Sequence, residues 1–259
     1  MTELATALSV ARSAAGISLR DLARIGRLSP SVISKAENGS DVAMSTYRRL
    51  IDAADLGPDL RPLGRPEATY VARALLEDED TYEAPLPADF PYWIERWQRL
   101  GIVDDQGRAT NERLLAMRAG RSGYLARRPM SVRLPRVGTA AEIGKALGSS
   151  GVEYAITGGA GANRLVSYAS EPWPVLYVSD LAKAVEALGI IPRLPGQFGP
   201  STTLIAFDGF NDSGRWQSQP SGLWYAAPWQ IVLDCYGGVD RMINQADVIL
   251  DSWEDNSND

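Results

Sequence analysis

Apolar positions recur at helical spacing through the start of the chain, and each run is closed by a capping residue or a glycine. Leu4, Leu8, Ala11 and Ala15 in ELATALSVARSAAG lie three or four residues apart, on one face of a helix. Ser18 is placed to cap a second helix, SLRDLARI, which buries Leu22 and Ala23. After the turn GRL, Ser29 followed by Pro30 is a strong helix start, because the first helical position has no use for an N–H. In SPSVISKAENG, Val32, Ile33 and Ala36 share one face and Ser31, Ser34 and Lys35 the other, and Gly39 ends the helix. Ser45 is expected to cap a fourth helix carrying Tyr47, Leu50, Ile51 and Ala54.

The pattern then breaks. Residues 58–91 read as a proline-rich linker with one short helix, EATYVARALLEDED, whose Asp78-x-Asp80 pair is a solvated helix end rather than a metal site. Trp93, Trp97 and Leu100 form a buried helix face, DDQGR a turn, Thr110 the cap of the helix NERLLAMRA, and MSVRL a strand. From residue 137 helices and strands alternate. TAAEIGKALGSS, GANRLVSY and LAKAVEALGI are helical, and VEYAIT, WPVLYVSD, STTLIAF and SGLWYAA are extended. A helix follows in PWQIVLDCYGG, started by Pro228 and ended by Gly237, and QADVILDSW closes the fold.

The fold class expected is multi-domain, α plus α/β. Its parts are a helix-turn-helix at 1–57, the linker at 58–91, a winged-helix-like module at 92–136, an α/β domain at 137–253 and a polar tail at 254–259.

Composition removes several chemistries. With one cysteine, Cys235, and no histidine, an internal disulfide, a Cys/His zinc site and Ser-His-Asp or Cys-His catalysis are excluded. The net charge of −6 does not mark a general polyanion binder, so any nucleic-acid contact must be local. MTELATALSV is no signal peptide and no apolar run approaches ~18 residues, so a cytoplasmic protein without a membrane partner is expected. DGFND, residues 208–212, lacks the acids of a calcium loop and reads as a hairpin turn. Trp216, Trp224, Tyr225, Trp229 and Tyr236 read as core, as does Cys235.

Two short helices around a tight turn, the second with a polar face, follow the helix-turn-helix plan. ISLRDLARIGRLSPSVISKAENGS resembles helix 2, turn and helix 3 of the Cro/C1 repressor family, and the resemblance covers about the first 55 residues. It implies a recognition helix at 30–38, with Ser31, Ser34 and Lys35 facing the major groove of double-stranded operator DNA. Ser29 and Asn38 bracket that helix, and Arg20 and Arg48 are candidate phosphate contacts. The glutamine that family often carries at the start of each helix is replaced by Leu19 and Pro30. Seven basic residues against six acidic in 1–55 leave this head only +1. Protein contact or dimerisation is the alternative use of such a domain.

Residues 92–136 are different: ten arginines against four acids give +6. Arg121, Arg127, Arg128 and their neighbours are thus expected to supply the phosphate contacts that the head lacks. An arginine-rich solvated surface is the other reading.

The stretch ITGGAGANRL, a strand meeting two glycines and a helix, admits three readings. A dinucleotide site would need G-x-G-x-x-G, but Arg164 stands at the third glycine, although Asp180 does follow the next strand. Pro172 and Pro174 also cut the intervening helix short. A nucleotidyltransferase would need carboxylates on alternate strand residues to clamp metals, and no such pair occurs between 137 and 250. The third reading is a catalytically empty relative of that fold. YAITGGAGANRLVSY, PVLYVSDLAKAVEALGI and APWQIVLDCYGGVDRMINQADVIL resemble the C-terminal domain of AbiE-type antitoxins, over roughly residues 90–252. That resemblance implies an autorepressor of a toxin–antitoxin operon, a cognate toxin encoded nearby and a nucleotidyltransferase-like plan without catalysis or cofactor. Gly158 and Gly159 then make a tight turn, and Asn163 and Arg164 form an exposed polar pair for an anion or a partner. A homodimer is a further expected partner. An active nucleotidyltransferase with a divergent acid set and a nucleotide-sensing regulator are the competing functions.

Overall fold

The computed structural model describes residues 8–10, 12–13, 16–40, 42–56, 64–78, 81–168, 173–192, 199–239 and 241–256. Leu4, Ala11 and Ala15 of the first expected helix lie outside them, as do residues 58–63 of the linker, Asp80, Pro172 and the last three residues of the tail.

The head is built as its caps predict. Ser18 accepts from the Asp21 N–H at 3.1 Å to start α1 (Leu19–Gly26), and Ser29 accepts from Val32 at 3.4 Å to start α2 (Pro30–Glu37). α3 (Met44–Ala53) begins at Ala43 without a side-chain cap, and Ser45 lies inside its first turn. Burial of Leu50 and Ala53 in the head core fixes the phase of α3 more strongly than one hydroxyl does. Leu8, Leu22, Ile33 and Leu50 are almost wholly buried and form one apolar cluster with Ile17, Ala36 and Leu56. Arg12 clamps the end of α2 through both oxygens of Glu37, at 2.5 and 3.2 Å.

A second, larger cluster of buried side chains runs from Ala68 to Leu250. It joins segments that the sequence divides. α4 (Pro66–Leu76), expected on a linker, buries Ala68, Tyr70, Val71, Ala72 and Arg73 against the body. α5 (Phe90–Leu100) buries Trp93 and Trp97 and is ended by Gly101 in the left-handed region (φ 71°). α6 (Glu112–Ser122) is capped by Asn111, which accepts from Leu114 at 2.8 Å. Thr110 instead donates to the Gly101 and Ile102 carbonyls at 2.8 and 3.0 Å.

The sheet contains β1 (Ser131–Pro135), β2 (Tyr154–Thr157), β3 (Val175–Val178), β4 (Ser201–Ala206), β5 (Trp216–Gln217) and β6 (Trp224–Tyr225), in the order β1-β4-β3-β2-β6-β5. Three pairs are antiparallel, β1 with β4, β2 with β3 and β5 with β6; β3–β4 and β2–β6 are parallel. β1 was expected as the strand of a separate winged-helix-like module. It pairs instead with β4, Ser131 opposite Ile205, as an edge strand of the body sheet, because its Leu134 is buried in the common core. The central module is therefore continuous with the α/β part. DGFND is likewise no hairpin turn: Asp208 accepts from the N–H groups of Phe210 and Asn211, both at 3.1 Å, in an Asx turn leaving β4.

Between the strands lie α7 (Ala140–Ser149), with a Thr139–Glu142 capping box, α8 (Gly158–Leu165) and α9 (Leu181–Leu188). α10 (Pro228–Tyr236) and α11 (Arg241–Asn256) follow β6. α7 and α9 pack together against β2, β3 and β4, and α8, α10 and α11 form a second group. α10 also crosses α6 closely. A Cβ at Gly120 would meet the Leu233 carbonyl and lie 2.5 Å from Tyr236 Cβ, so only glycine allows this approach.

Candidate nucleic-acid interface

The exposed surface of α2 carries the expected polar set. Ser31, Lys35 and Asn38 are exposed and Ser34 is half-buried, while Ile33 and Ala36 point into the head core. The hydroxyls of Ser29 and Ser31 lie 2.9 Å apart, and Asn38 Nδ2 donates to Ser34 Oγ at 3.3 Å. Arg20 on α1 and Arg48 on α3 are exposed, and so is Arg24, which the sequence reading passed over. The head thus presents a short polar helix flanked by cations, the arrangement by which helix-turn-helix domains place side chains at base edges and phosphates.

Half of the ten central arginines face inward or toward the head. Arg96 Nη2 donates to the Ala53 carbonyl at 2.8 Å and to Asp55 Oδ2 at 2.9 Å. Arg99 donates to the Ile25 carbonyl at 3.1 Å. Arg118 reaches the Gly16 carbonyl and Asp21, the latter at 3.1 Å. Ser122 adds a bond to Asp55 at 3.1 Å, and Glu95 pairs with Arg27 at 2.6 Å. Arg113 serves the other end of the body, pairing with Asp251 at 2.5 Å and Glu254 at 3.0 Å on α11. Five of the ten arginines in 92–136 (Arg96, Arg99, Arg113, Arg118 and Arg128) are thus paired with carboxylates within the fold, whereas Arg108, Arg133 and Arg136 are exposed.

Arg128 gives the sharpest correction. It was a candidate phosphate contact, but it is only 3% exposed and bonds Asp234 Oδ1 at 2.8 Å. The fully buried Asp234 also accepts from Thr157 Oγ1 at 2.6 Å, Tyr177 OH at 2.7 Å and Gln230 Nε2 at 2.9 Å. Burial, followed by the charge of Asp234, pushes the Tyr177 hydroxyl well above its ordinary pKa, so it stays a donor. Sequence reasoning missed this cluster. Its signal was Gln230 and Asp234, spaced four apart in the otherwise apolar PWQIVLDCY and so on one helix face. Arg121 and Arg127 are half-buried: Arg121 lies at the seam between head and body, and Arg127 ends a 3₁₀ turn (Leu125–Arg127).

The glycine turn is closely packed. Gly158 takes φ 58°, letting β2 pass directly into α8, and a Cβ on Gly159 would lie 3.1 Å from Gln245 Oε1. Arg164 is exposed, but its Nε donates to Ser218 Oγ at 2.7 Å and its guanidinium lies 5.6 Å from the Trp216 ring centroid. Asn163 Oδ1 accepts from Gln245 Nε2 at 3.0 Å. β3 carries no acid, and Asp180 caps α9 by accepting from Ala182 and Lys183 at 2.9 and 3.0 Å. Among the described residues no group of three or more Cys, Asp or Glu side chains is placed to hold a metal ion. Among the described residues no helix is long and apolar enough to cross a membrane.

Residues 3–63 match the family described as a helix-turn-helix domain. The chain therefore carries an N-terminal helix-turn-helix domain, which supports a DNA-binding regulator. Comparison with curated proteins and with solved structures gave no match.

Proposed function

We propose that the chain is an operator-binding transcriptional regulator. Ser31, Ser34 and Lys35 of α2 read base edges, and Arg20, Arg24 and Arg48 hold phosphates. The observation that carries this reading is the position of α2. Its polar face is exposed, whereas the bonds joining head to body fall on Gly16, Asp21, Ile25, Arg27, Ala53 and Asp55. A homodimer on two half-sites fits such a head.

The finer reading is an antitoxin-like autorepressor of a toxin–antitoxin operon, cytoplasmic and without catalytic activity, whose partner is a toxin encoded nearby. Its support is the resemblance of residues 90–252 to AbiE-type antitoxins. The enclosure of Asp234 and the capping role of Asp180 agree with a body that performs no phosphoryl transfer, since neither carboxylate is presented to a metal.

The test is binding to DNA from upstream of the chain's own gene, against competitor DNA, over a range of salt. Lys35→Ala is expected to weaken specific binding by about 1–3 kcal/mol. Arg48→Ala reduces the steepness of the salt dependence by about one ion. Arg113→Ala, whose guanidinium is engaged by Asp251 and Glu254, leaves the salt dependence unchanged. Absence of sequence-specific binding at physiological salt refutes the reading and makes the head a protein-contact domain.

A further inference from the structure

A cavity of about 260 Å³ lies where the head meets the body. The head contributes Ile17 and Ile25 to its wall, and the body contributes Trp97, Tyr236 and Ile243. Four charged groups line it as well: Asp55, Arg96, Arg118 and Arg121. Three of them are accounted for. Arg96 is held by Asp55 at 2.9 Å, and Arg118 by Asp21 at 3.1 Å.

Arg121 is not. Its Nε is buried without a hydrogen-bond partner, and it makes no ion pair among the described residues. Its guanidinium lies against Gly16 of the head, where an added Cβ would come 2.8 Å from Cζ. Three guanidiniums (Arg96, Arg118 and Arg121) against two carboxylates (Asp21 and Asp55) leave one positive charge uncompensated at the seam. Burial lowers the pKa of Arg118; Asp21 opposes this and the neighbouring Arg121 adds to it, as expected where cations are crowded out of water. The half-buried Arg121 therefore faces the cavity with its Nε out of water and unpartnered, and an occupant that accepts from this guanidinium supplies the missing partner.

We propose that this cavity binds a small organic acid, with one carboxylate on Arg121 and a compact apolar body against Trp97, Tyr236 and Ile243. The guanidinium fork matches a carboxylate with two parallel hydrogen bonds. A single uncompensated charge matches a monoanion rather than a phosphate dianion. The volume is just below the range of about 300–1,000 Å³ that holds drug-sized ligands, which sets the size near that of one substituted ring. Because the wall comes from both sides of the seam, occupancy favours the head–body arrangement that closes it. The consequence for operator affinity rests on the regulator reading above; the binding itself does not.

The experiment uses the full chain without DNA, with benzoate as probe and benzamide as its uncharged counterpart. Thermal unfolding and tryptophan fluorescence are followed as each is added. Benzoate is expected to raise Tm by about 2–4 °C at concentrations several times its Kd, and benzamide to leave it unchanged. Arg121→Met is expected to keep the Tm of the free chain near its original value, since the guanidinium has no ion pair to lose and its buried Nε has no partner, and to lose the benzoate response. Ile243→Trp, which fills the cavity with Arg121 intact, is expected to lose it too. The proposal is overturned if millimolar benzoate has no effect, if benzamide acts equally, or if Arg121→Met still responds. Inorganic phosphate stabilising as strongly as benzoate overturns the carboxylate assignment. A benzoate-responsive chain that binds no DNA upholds the site while refuting the regulator reading.

Discussion

Replacing Asp234 by alanine tests whether the buried polar cluster holds the body together. The carboxylate is fully buried and accepts from four donors: Arg128, Thr157, Tyr177 and Gln230. Alanine leaves a guanidinium that is 3% exposed without its counter-ion. Breaking one side of a buried ion pair costs about 3–5 kcal/mol. Each neutral donor left unsatisfied adds about 1–3 kcal/mol. Gln230 Nε2 still donates to the Tyr177 hydroxyl oxygen at 3.2 Å, which softens the sum without removing it. The expected loss exceeds about 5 kcal/mol, against a total stability of about 5–15 kcal/mol, so the body unfolds or nearly does.

Arg128→Met is the informative partner. It leaves Asp234 with its three neutral donors and removes two nitrogens, Nε and Nη1, that have no hydrogen-bond partner. Its cost is therefore limited to that of breaking the buried pair, about 3–5 kcal/mol, without the further cost of unsatisfied neutral donors. Urea unfolding followed by tryptophan fluorescence gives both values. A loss from Arg128→Met equal to or greater than that from Asp234→Ala refutes the reasoning, because it places the stabilising donors on the arginine alone. A loss below about 1 kcal/mol from Asp234→Ala would show that water reaches the cluster.

Gly120→Ala is expected to cost about 1–3 kcal/mol by forcing α6 away from α10, read as a lower urea midpoint, and an unchanged midpoint would show that the crossing is loose. Burial raises the pKa of both Tyr177 and Tyr70, so the folded state holds these protons more tightly than the unfolded chain. That contribution is complete below the ordinary tyrosine value of 10.0 and is lost as pH rises above it. Stability measured across that alkaline range should fall less steeply in Tyr177→Phe than in the parent chain, and parallel curves would refute the assignment.

Local signals in the sequence carried the head and most of the body's elements. Ser18 and Ser29 cap the helices they were expected to cap, because a capping bond is made within four residues of its own helix. Thr110 was misplaced by one position because Asn111 competes for the same role. The larger difficulty lay in pairings between distant segments. Nothing local to SVRLP says that its partner is STTLIA rather than an adjacent hairpin strand. The arginines of 92–136 look like a nucleic-acid patch in a charge count, because a count cannot see Asp21, Asp55, Asp234 or Asp251 folding back onto them. Lys35 and Ser31 remained legible because exposed side chains on a capped amphipathic helix are fixed by phase alone.

The body holds the head through three main-chain carbonyls and through the side chains of Asp21, Arg27 and Asp55. Arg96, Arg99 and Arg118 reach the carbonyls of Ala53, Ile25 and Gly16, and within the head Arg49 reaches those of Gly26 and Arg27, both at 2.6 Å. None of these residues lies on α2, so this attachment does not depend on which side chains that helix displays. On the operator-binding proposal, substitutions at 31, 34 and 35 alter the DNA sequence preferred while the head stays docked. The architecture separates the part of the chain free to diversify from the part that fixes its position.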